Sequence, residues 1–325
     1  MLEMKRLRLL WELSARGTIA AVAEALSYSP SAVSQQLAIL EKEAGVPLLR
    51  RAGRTLELTP AGAALVSEIE ELLDGLERAD AVLHREHDQV VGTVRIAVFQ
   101  TVLLAYMPQV LQRLRREHPR LRLELVEYEP EDALRETWLR SFDLVIAEKY
   151  PDYIPRHFEG LERVSVVSDP LRLALPLPML GGSGADDGPA DANEELRMRI
   201  DRVQRLEDAA GLPWVVELKG TASRHFLVQA CRAVGFEPDI RYETPDLSAH
   251  VRLIETGNAV GILPELVGLG IRHRLRFVEL EDRPERVIFT AARTASEGHA
   301  SIAAVRSAIA AEARRLHSRA EHLLR

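Results

Sequence analysis

One cysteine, Cys231, stands in 325 residues, which excludes an internal disulfide and is expected of a reducing compartment. No run of 18 apolar residues occurs, so no segment reads as a spanning helix. The N-terminus carries Lys5, Arg6 and Arg8 but neither an apolar core segment nor a small-residue cleavage site, so no export signal is legible. A Gly-rich phosphate loop is also missing. These absences predict a soluble cytoplasmic protein with no membrane partner, no cofactor and no metal. Excess positive charge is lacking as well. Residues 1–60 hold eight Lys and Arg against six Asp and Glu, a balance of +2, so a net charge of −7 leaves −9 on the remainder. A weakly basic segment attached to an acidic bulk gains little from long-range attraction to nucleic acid, and specific binding must come from a few well-placed groups and from dimerisation.

What is present is most concentrated between Ser29 and Gly45. Ser29 has the side-chain oxygen wanted at an N-cap, Pro30 follows at the first helical position, and Gly45 closes the helix. Val33, Leu37 and Leu40 fall on one face at helical spacing, with Ser31, Ser34, Gln35 and Gln36 opposite. A solvated face usually carries Lys and Glu. Short hydroxyls and amides suit phosphate oxygens and base edges instead, and Gln can bond adenine in the major groove. Thr18 can cap a preceding helix, Ile19 to Leu26, whose Ala20, Ala21, Ala23 and Ala25 permit a close crossing. A turn of two residues, Ser27 and Tyr28, makes the pair a helix-turn-helix. Leu7 to Leu13 reads as a support helix. Pro47 to Thr59, with Gly53 and the arginines 51 and 54 near its tip, reads as a basic hairpin, a wing placed to meet the phosphate backbone or the minor groove.

From Pro60 the pattern becomes one long helix, with Leu65, Ile69, Leu72, Leu76, Ala79 and Leu83 spaced 4, 3, 4, 3, 4. That is a heptad seam, which pairs two chains and faces paired readers to two half-sites; packing on its own domain is the alternative. After Gly92 the rhythm changes to strands (Thr93 to Phe99, Leu121 to Tyr128, Phe142 to Glu148) alternating with helices (Val102 to His118, Asp132 to Leu139). A second unit begins near Leu161, and the strands Leu275 to Glu281 and Arg286 to Arg293 are expected to return to the first. The last helix runs through Ile302 to His317. Alternation of this kind implies parallel sheets flanked by helices, hence two α/β lobes around a cleft that binds ligands at the strands' carboxyl ends. Gly181 to Glu195 reads as a solvated loop.

SPSAVSQQLAILE and GVPLLRRAGRTLELTPAG (Gly45 to Gly62) resemble the winged helix-turn-helix of the LysR-type transcriptional regulators. GTVRIAVF (Gly92 to Phe99), FDLVIAE and GNAVGILPELV (Gly257 to Val267) resemble landmarks of that family's effector domain. The resemblance implies an α/β protein with a DNA-binding domain at 1–60, a linker and dimerisation helix at 61–90, and a periplasmic-binding-protein-like effector domain at 91–325, its lobes about 91–160 with 268–300, and 161–267. It places Ser31, Ser34 and Gln35 on the DNA-facing helix with Ser29, Pro30 and Gln36 around them, and Arg51 and Arg54 on the wing. Gln35 stands where Arg is common in the family, and Leu49 where Phe is common.

In the cleft Thr101 is the leading candidate, since it opens a helix directly after a strand, where a hydroxyl and free N–H groups could hold an anion; a plain helix cap explains it equally well. The family's effector sits at this turn, with Gln100 beside it. Thr221 and Ser223 repeat the geometry in the second lobe, and Glu148 and Asp246 stand at strand ends where a solvated loop acid is the simpler reading. The implied partners are double-stranded operator DNA, a small-molecule effector, a second or further copies in a homodimer or homotetramer, and RNA polymerase if the protein activates. An enzyme is the rival reading, yet Cys231 lies inside a helical run, where a buried thiol is structural, and His84 and His87 have no third ligand nearby. No catalytic residue is assigned. A solute-binding protein, the second rival, leaves residues 1–60 unexplained.

Overall fold

The computed structural model describes residues 2–53, 55–85, 90–178, 192–268 and 274–323. Their contacts divide the chain into two units: residues 1–88 with 139–141 and 294–300, and residues 89–138, 142–293 and 301–325.

The first unit opens with helices α1 (Met4–Arg16), α2 (Ile19–Ala25) and α3 (Pro30–Ala44). Ser29 caps α3 by accepting from the Ala32 N–H, and Gly45 ends it at φ 72°, returning its own N–H to the Glu41 carbonyl. Thr18 caps α2 through the Ala21 N–H. The crossing of α2 is packed by Val22 and Ala23, whereas Ala20 and Ala25 are exposed; of the four alanines expected to permit it, Ala23 alone is fully buried. Strands β1 (Leu49–Ala52) and β2 (Thr55–Leu58) pair antiparallel, with Gly53 at φ 65° in the tip. Arg54 lies outside the described residues. The wing is fastened to α3 by Glu41, whose carboxylate accepts from the N–H groups of Leu48 and Leu49 at 2.8 and 2.9 Å.

Helix α4 (Pro60–Arg85) starts at the Thr59 hydroxyl, which accepts from the Gly62 N–H. Gly62 is there for space, because a Cβ would fall 2.1 Å from the Leu48 carbonyl oxygen. The heptad seam divides along the helix. Ile69 is fully buried and Leu65 half-buried within the unit, while Leu72, Leu76, Ala79 and Leu83 are exposed, Leu83 to 70%. The expected face is therefore open to a second chain in its C-terminal half alone, since α4 spends the other half on its own core.

The second unit contains, in order, β3 (Gly92–Val98), α5 (Gln100–Ala105), α6 (Met107–Glu117), β4 (Leu121–Glu127), α7 (Pro130–Trp138), β5 (Leu144–Lys149), β6 (Leu161–Pro176), α8 (Ala192–Asp201), β7 (Pro213–Val216), α9 (Ala222–Ala233), β8 (Asp239–Glu243), α10 (Leu247–Glu255), β9 (Gly261–Pro264), α11 (Glu265–Gly268), β10 (Leu275–Glu279), β11 (Glu285–Arg293) and α12 (Ala300–Leu323). The single helix expected over Val102 to His118 is broken at Tyr106, because Pro108 has no N–H to donate and its ring would crowd the carbonyl four residues back.

In the first lobe β3 pairs parallel with β4 and β5, and β11 lies antiparallel between β5 and β6. Strand β6 is one strand of 16 residues. Its first half pairs with β11, and its second half, from Leu171, pairs with β9 and β10. Strand β10 thus belongs to the second lobe, contrary to the expectation that it returns to the first; β11 alone makes that return. Strands β7 and β8 are parallel, and β7 is linked to β9 by a bridge at Trp214 and Val260. Each sheet has apolar helices on both faces. Val110, Leu114 and Val305 cover one face of the first lobe, and Leu134 covers the other. In the second, Ile200 and Leu227 cover one face and Val251 and Ile254 the other. The loop expected over 181–195 is shortened at its end by α8, which begins at Ala192; residues 181–191 lie outside the described residues.

Candidate functional site: an exposed polar helix face and an acidic interlobe cleft

The apolar stripe of α3 packs inward, with Val33, Leu37 and Leu40 buried, and this turns Ser31, Ser34 and Gln35 outward. Ser29 is occupied as the cap and also lies 3.0 Å from the Ser31 hydroxyl. Gln36 is half-buried, and its carbonyl oxygen accepts from Arg6 Nε at 3.0 Å, so it is braced from within the unit. Arg6 is held in turn by Glu43 at 2.8 Å. On the wing Arg51 is exposed, while its neighbour Arg50 pairs with Glu57 at 2.9 Å.

In the second unit Gln100, Thr101, Glu148 and Asp246 converge on one cavity of about 140 Å3 between the lobes, together with Glu127, Glu129, Glu217 and Arg286. Each stands at the carboxyl end of a parallel strand or in the turn that follows, except Arg286, which enters from β11. Antiparallel register sets Arg286 directly opposite Asp169 on β6 and sets Glu148 opposite Ile288, two residues along the same strand face. The guanidinium is buried. It donates from Nε and Nη2 to Asp169 at 2.9 and 2.7 Å, from Nη1 to Glu148 at 2.5 Å, and from Nη2 to the Thr101 hydroxyl at 3.0 Å, and it lies over the Phe99 ring. The other oxygen of Asp169 accepts from the Leu266 N–H. One side chain therefore joins β5, β6, β11, α5 and, through Asp169, α11. Sequence reading passed over Arg286 and Asp169, because an arginine and an aspartate near strand ends look like solvated charges until register brings them together.

Gln100 spans the cleft. Its Nε2 donates to Asp246 at 3.2 Å and its Oε1 accepts from the Leu247 N–H at 2.9 Å. Asp246 is itself the cap of α10, accepting from the Ser248 N–H at 2.8 Å. Gln100 and Thr101 also border a second, more apolar cavity of about 410 Å3 lined by Leu104, Leu247, Val251 and Leu316.

The second-lobe pair does not join this group intact. Thr221 caps α9 and lines a separate depression with Tyr153 and Lys219. Ser223 donates to Glu217 and lines a small neighbouring cavity that reaches His250 and Arg286. Helix N-termini were expected to receive an anion, but α9 and α10 are closed by their own caps, and α5 is only six residues long.

The carboxylates affect one another. Glu148, named in the sequence as a strand-end acid with solvation as the simpler reading, is only 11% exposed, and its carboxyl is pushed up to about 7, first by loss of water and then by Glu217 and Asp169, against the pull of Arg286. Glu129 is shifted upward by burial and by Glu217, Asp132 and Glu127. The folded state thus holds a proton on Glu148 that the unfolded chain, titrating near 4.5, has already released. Stability from this group is full below the unfolded value and falls as pH rises toward about 7, by on the order of 3 kcal/mol. In urea titrations across this pH range, Glu148→Gln is expected to show a flatter loss of stability than the parent. Parallel curves would show that Glu148 ionises alike in both states.

Residues 4–63 match the family described as bacterial regulatory helix-turn-helix protein, lysR family, and residues 87–314 match the LysR substrate binding domain. The chain is 27% identical over 266 residues to the HTH-type transcriptional activator IlvY of Salmonella typhimurium, covering 80% of this chain and 83% of that one. It is 24% identical over 264 residues to the transcriptional dual regulator GltC of Bacillus subtilis, covering 81% of each. Among solved structures, a cysteine variant of full-length OxyR from Pseudomonas aeruginosa superposes with a TM-score of 0.61 at 16% identity, covering 95% of both chains, and shows the shared fold. Two family matches in this order flank the long helix α4, and with a helix-turn-helix capped at Ser29 and a substrate domain cleft at Thr101 the chain belongs to the LysR family of DNA-binding transcriptional regulators.

Proposed function

We propose that Ser31, Ser34 and Gln35 read operator bases in the major groove, with Ser29 and Pro30 setting the start of the reading helix and Gln36 its brace. Arg51 and Arg54 supply phosphate contacts from the wing. Leu72, Leu76, Ala79 and Leu83 form the seam with a second copy, Leu65 and Ile69 supporting the helix from inside, so that a homodimer or homotetramer presents paired readers. A small effector enters the interlobe cleft at Gln100, Thr101, Glu148 and Asp246, with Ser223 at its border and Thr221 outside it, and acts through a difference in its affinity for two arrangements of the oligomer. Such a regulator works in the cytoplasm, where the operator and RNA polymerase are; among the described residues no helix is long and apolar enough to cross a membrane. The named relatives are regulators, and the chain is a regulator rather than an enzyme.

The observation that carries the DNA assignment is the exposed, short-chained polar face of α3 over a fully buried apolar one. Its test separates affinity from choice of sequence. Arg51→Ala is expected to weaken binding alike on operator and on scrambled duplex and to reduce the log–log salt slope by about one. Gln35→Ala should instead relax preference at particular base pairs, at about 1–3 kcal/mol per lost pairing. An Arg51→Ala protein with unchanged affinity and salt slope would remove the wing from the interface.

A further inference from the structure

The geometry points to a small organic cation, bearing an ammonium or guanidinium group, as the occupant of the interlobe cleft, with Glu129 and Glu217 as the carboxylates that select it. This rests on the reading of that cleft as the effector site. The substrate-binding domain match and the cavity at the strands' carboxyl ends support a ligand in this cleft; the acidic side chains bear on its charge.

Five acidic side chains line the cavity, those of residues 127, 129, 148, 217 and 246, of which Glu148 is paired with the one guanidinium, Arg286. Arg286 is no receptor for an anion. Its donors are already directed to Asp169, Glu148 and Thr101. The α10 N-terminus, a second place for an anion, is filled by the carboxylate of Asp246, and the remaining Leu247 N–H is taken by Gln100. Glu127 and Glu129 have no side-chain partner among the described residues, and Glu217 receives only the Ser223 hydroxyl on its carboxylate. Glu127, Glu129 and Glu217 therefore face the cleft without a cationic side-chain partner, and repulsion by Glu217 and Glu127 adds to the loss of water that raises the Glu129 carboxyl. A cation removes that repulsion on binding, whereas an anion adds to it. Nor is the occupant a metal ion, for no three of these groups approach closely enough to ligate one, among the described residues. Separated carboxylates suit the spread N–H donors of an amine or guanidine, each charge-assisted contact being among the stronger hydrogen bonds.

The test uses the full chain without DNA, with putrescine and agmatine as cationic probes and succinate and 2-oxoglutarate as anionic ones, each titrated to millimolar concentration while the melting temperature is followed. Three proteins are compared: the parent, the double variant Glu129→Gln/Glu217→Gln, and Gln100→Trp, which fills the cavity. Melting of each variant without probe reports its folding. Expected is a rise in Tm with at least one cation, none with either anion, a displacement of the cation curve by about tenfold or more in concentration in the double variant, and loss of the effect in Gln100→Trp. Four results overturn the inference. A cation effect lost in Gln100→Trp but unchanged in the double variant leaves the cleft standing and removes the two carboxylates. Stabilisation by an anion that Gln100→Trp abolishes keeps the cleft and reverses its charge preference. A cation effect that survives Gln100→Trp puts binding elsewhere, so the cleft reading itself fails. A Tm unmoved by every probe contradicts a cleft charged in this way.

Discussion

Replacing Arg286 by alanine is expected to lower the stability of the full chain by about 3–5 kcal/mol, read as a shift of the urea midpoint at neutral pH, because it strands the buried carboxylate of Asp169 and takes the shared donor from Glu148 and the Thr101 hydroxyl. Burial is what makes the number large. An exposed ion pair of the same length contributes about 1 kcal/mol or less, whereas the side chains of Arg286 and Asp169 are 2% and 1% exposed. Arg286→Lys keeps the charge but replaces a planar fork by a single ammonium, which cannot meet Asp169, Glu148 and the Thr101 hydroxyl together. Its loss should fall between those of the parent and the alanine variant. A midpoint for Arg286→Ala equivalent to less than about 1 kcal/mol would mean that water or a rearranged strand compensates the two acids.

Leu72→Glu is expected to dissociate the oligomer. Leu72 is 49% exposed and Leu76 is 54% exposed in the single chain, so a glutamate is harmless to the monomer's own core. In a paired seam it would bury an unpaired charge, at a cost of several kcal/mol that dissociation relieves. Light scattering should report a smaller particle, and operator affinity should fall by at least about tenfold as the paired readers separate. Ile69→Glu should behave differently and unfold the unit, since Ile69 is fully buried within it. An unchanged mass for Leu72→Glu would show that this face does not join subunits.

The helix-turn-helix was legible because its signals are local. A cap at Ser29, a proline at Pro30 and a glycine at Gly45 act within one turn of the residues they control, and the structure has each in that role. Strand and helix order in the effector unit was legible for the same reason, down to β5, whose run of four buried residues reads as a fully covered strand. Pro108 would have revealed the break between α5 and α6, had its missing donor been weighed against the apolar periodicity around it. Asp169-Pro170 lies within the single strand β6, where Pro170 stands opposite Glu285 and Asp169 opposite Arg286, a pairing that only register reveals.

Of the cleft, the positions after each strand could be found by counting from apolar runs, and Gln100, Thr101, Glu148 and Asp246 do share one cavity. Its chemistry could not. Thr101 was read as a hydroxyl for an anion or, equally, as a plain helix cap, and instead accepts from Arg286, 185 residues away; Ile69 and Leu72 belong to the same heptad pattern, and packing alone separates a core residue from an exposed one. The sequence by itself determined the reader, the order of α/β elements and the family, since these rest on caps, turns and periodicities that operate over a few residues. Tertiary structure alone decided which charges meet, which half of the seam remains open and what sign of ligand the cleft favours. Those depend on strand register and desolvation between segments far apart in the chain, and the free energy of a charge is set by the neighbours that folding brings to it.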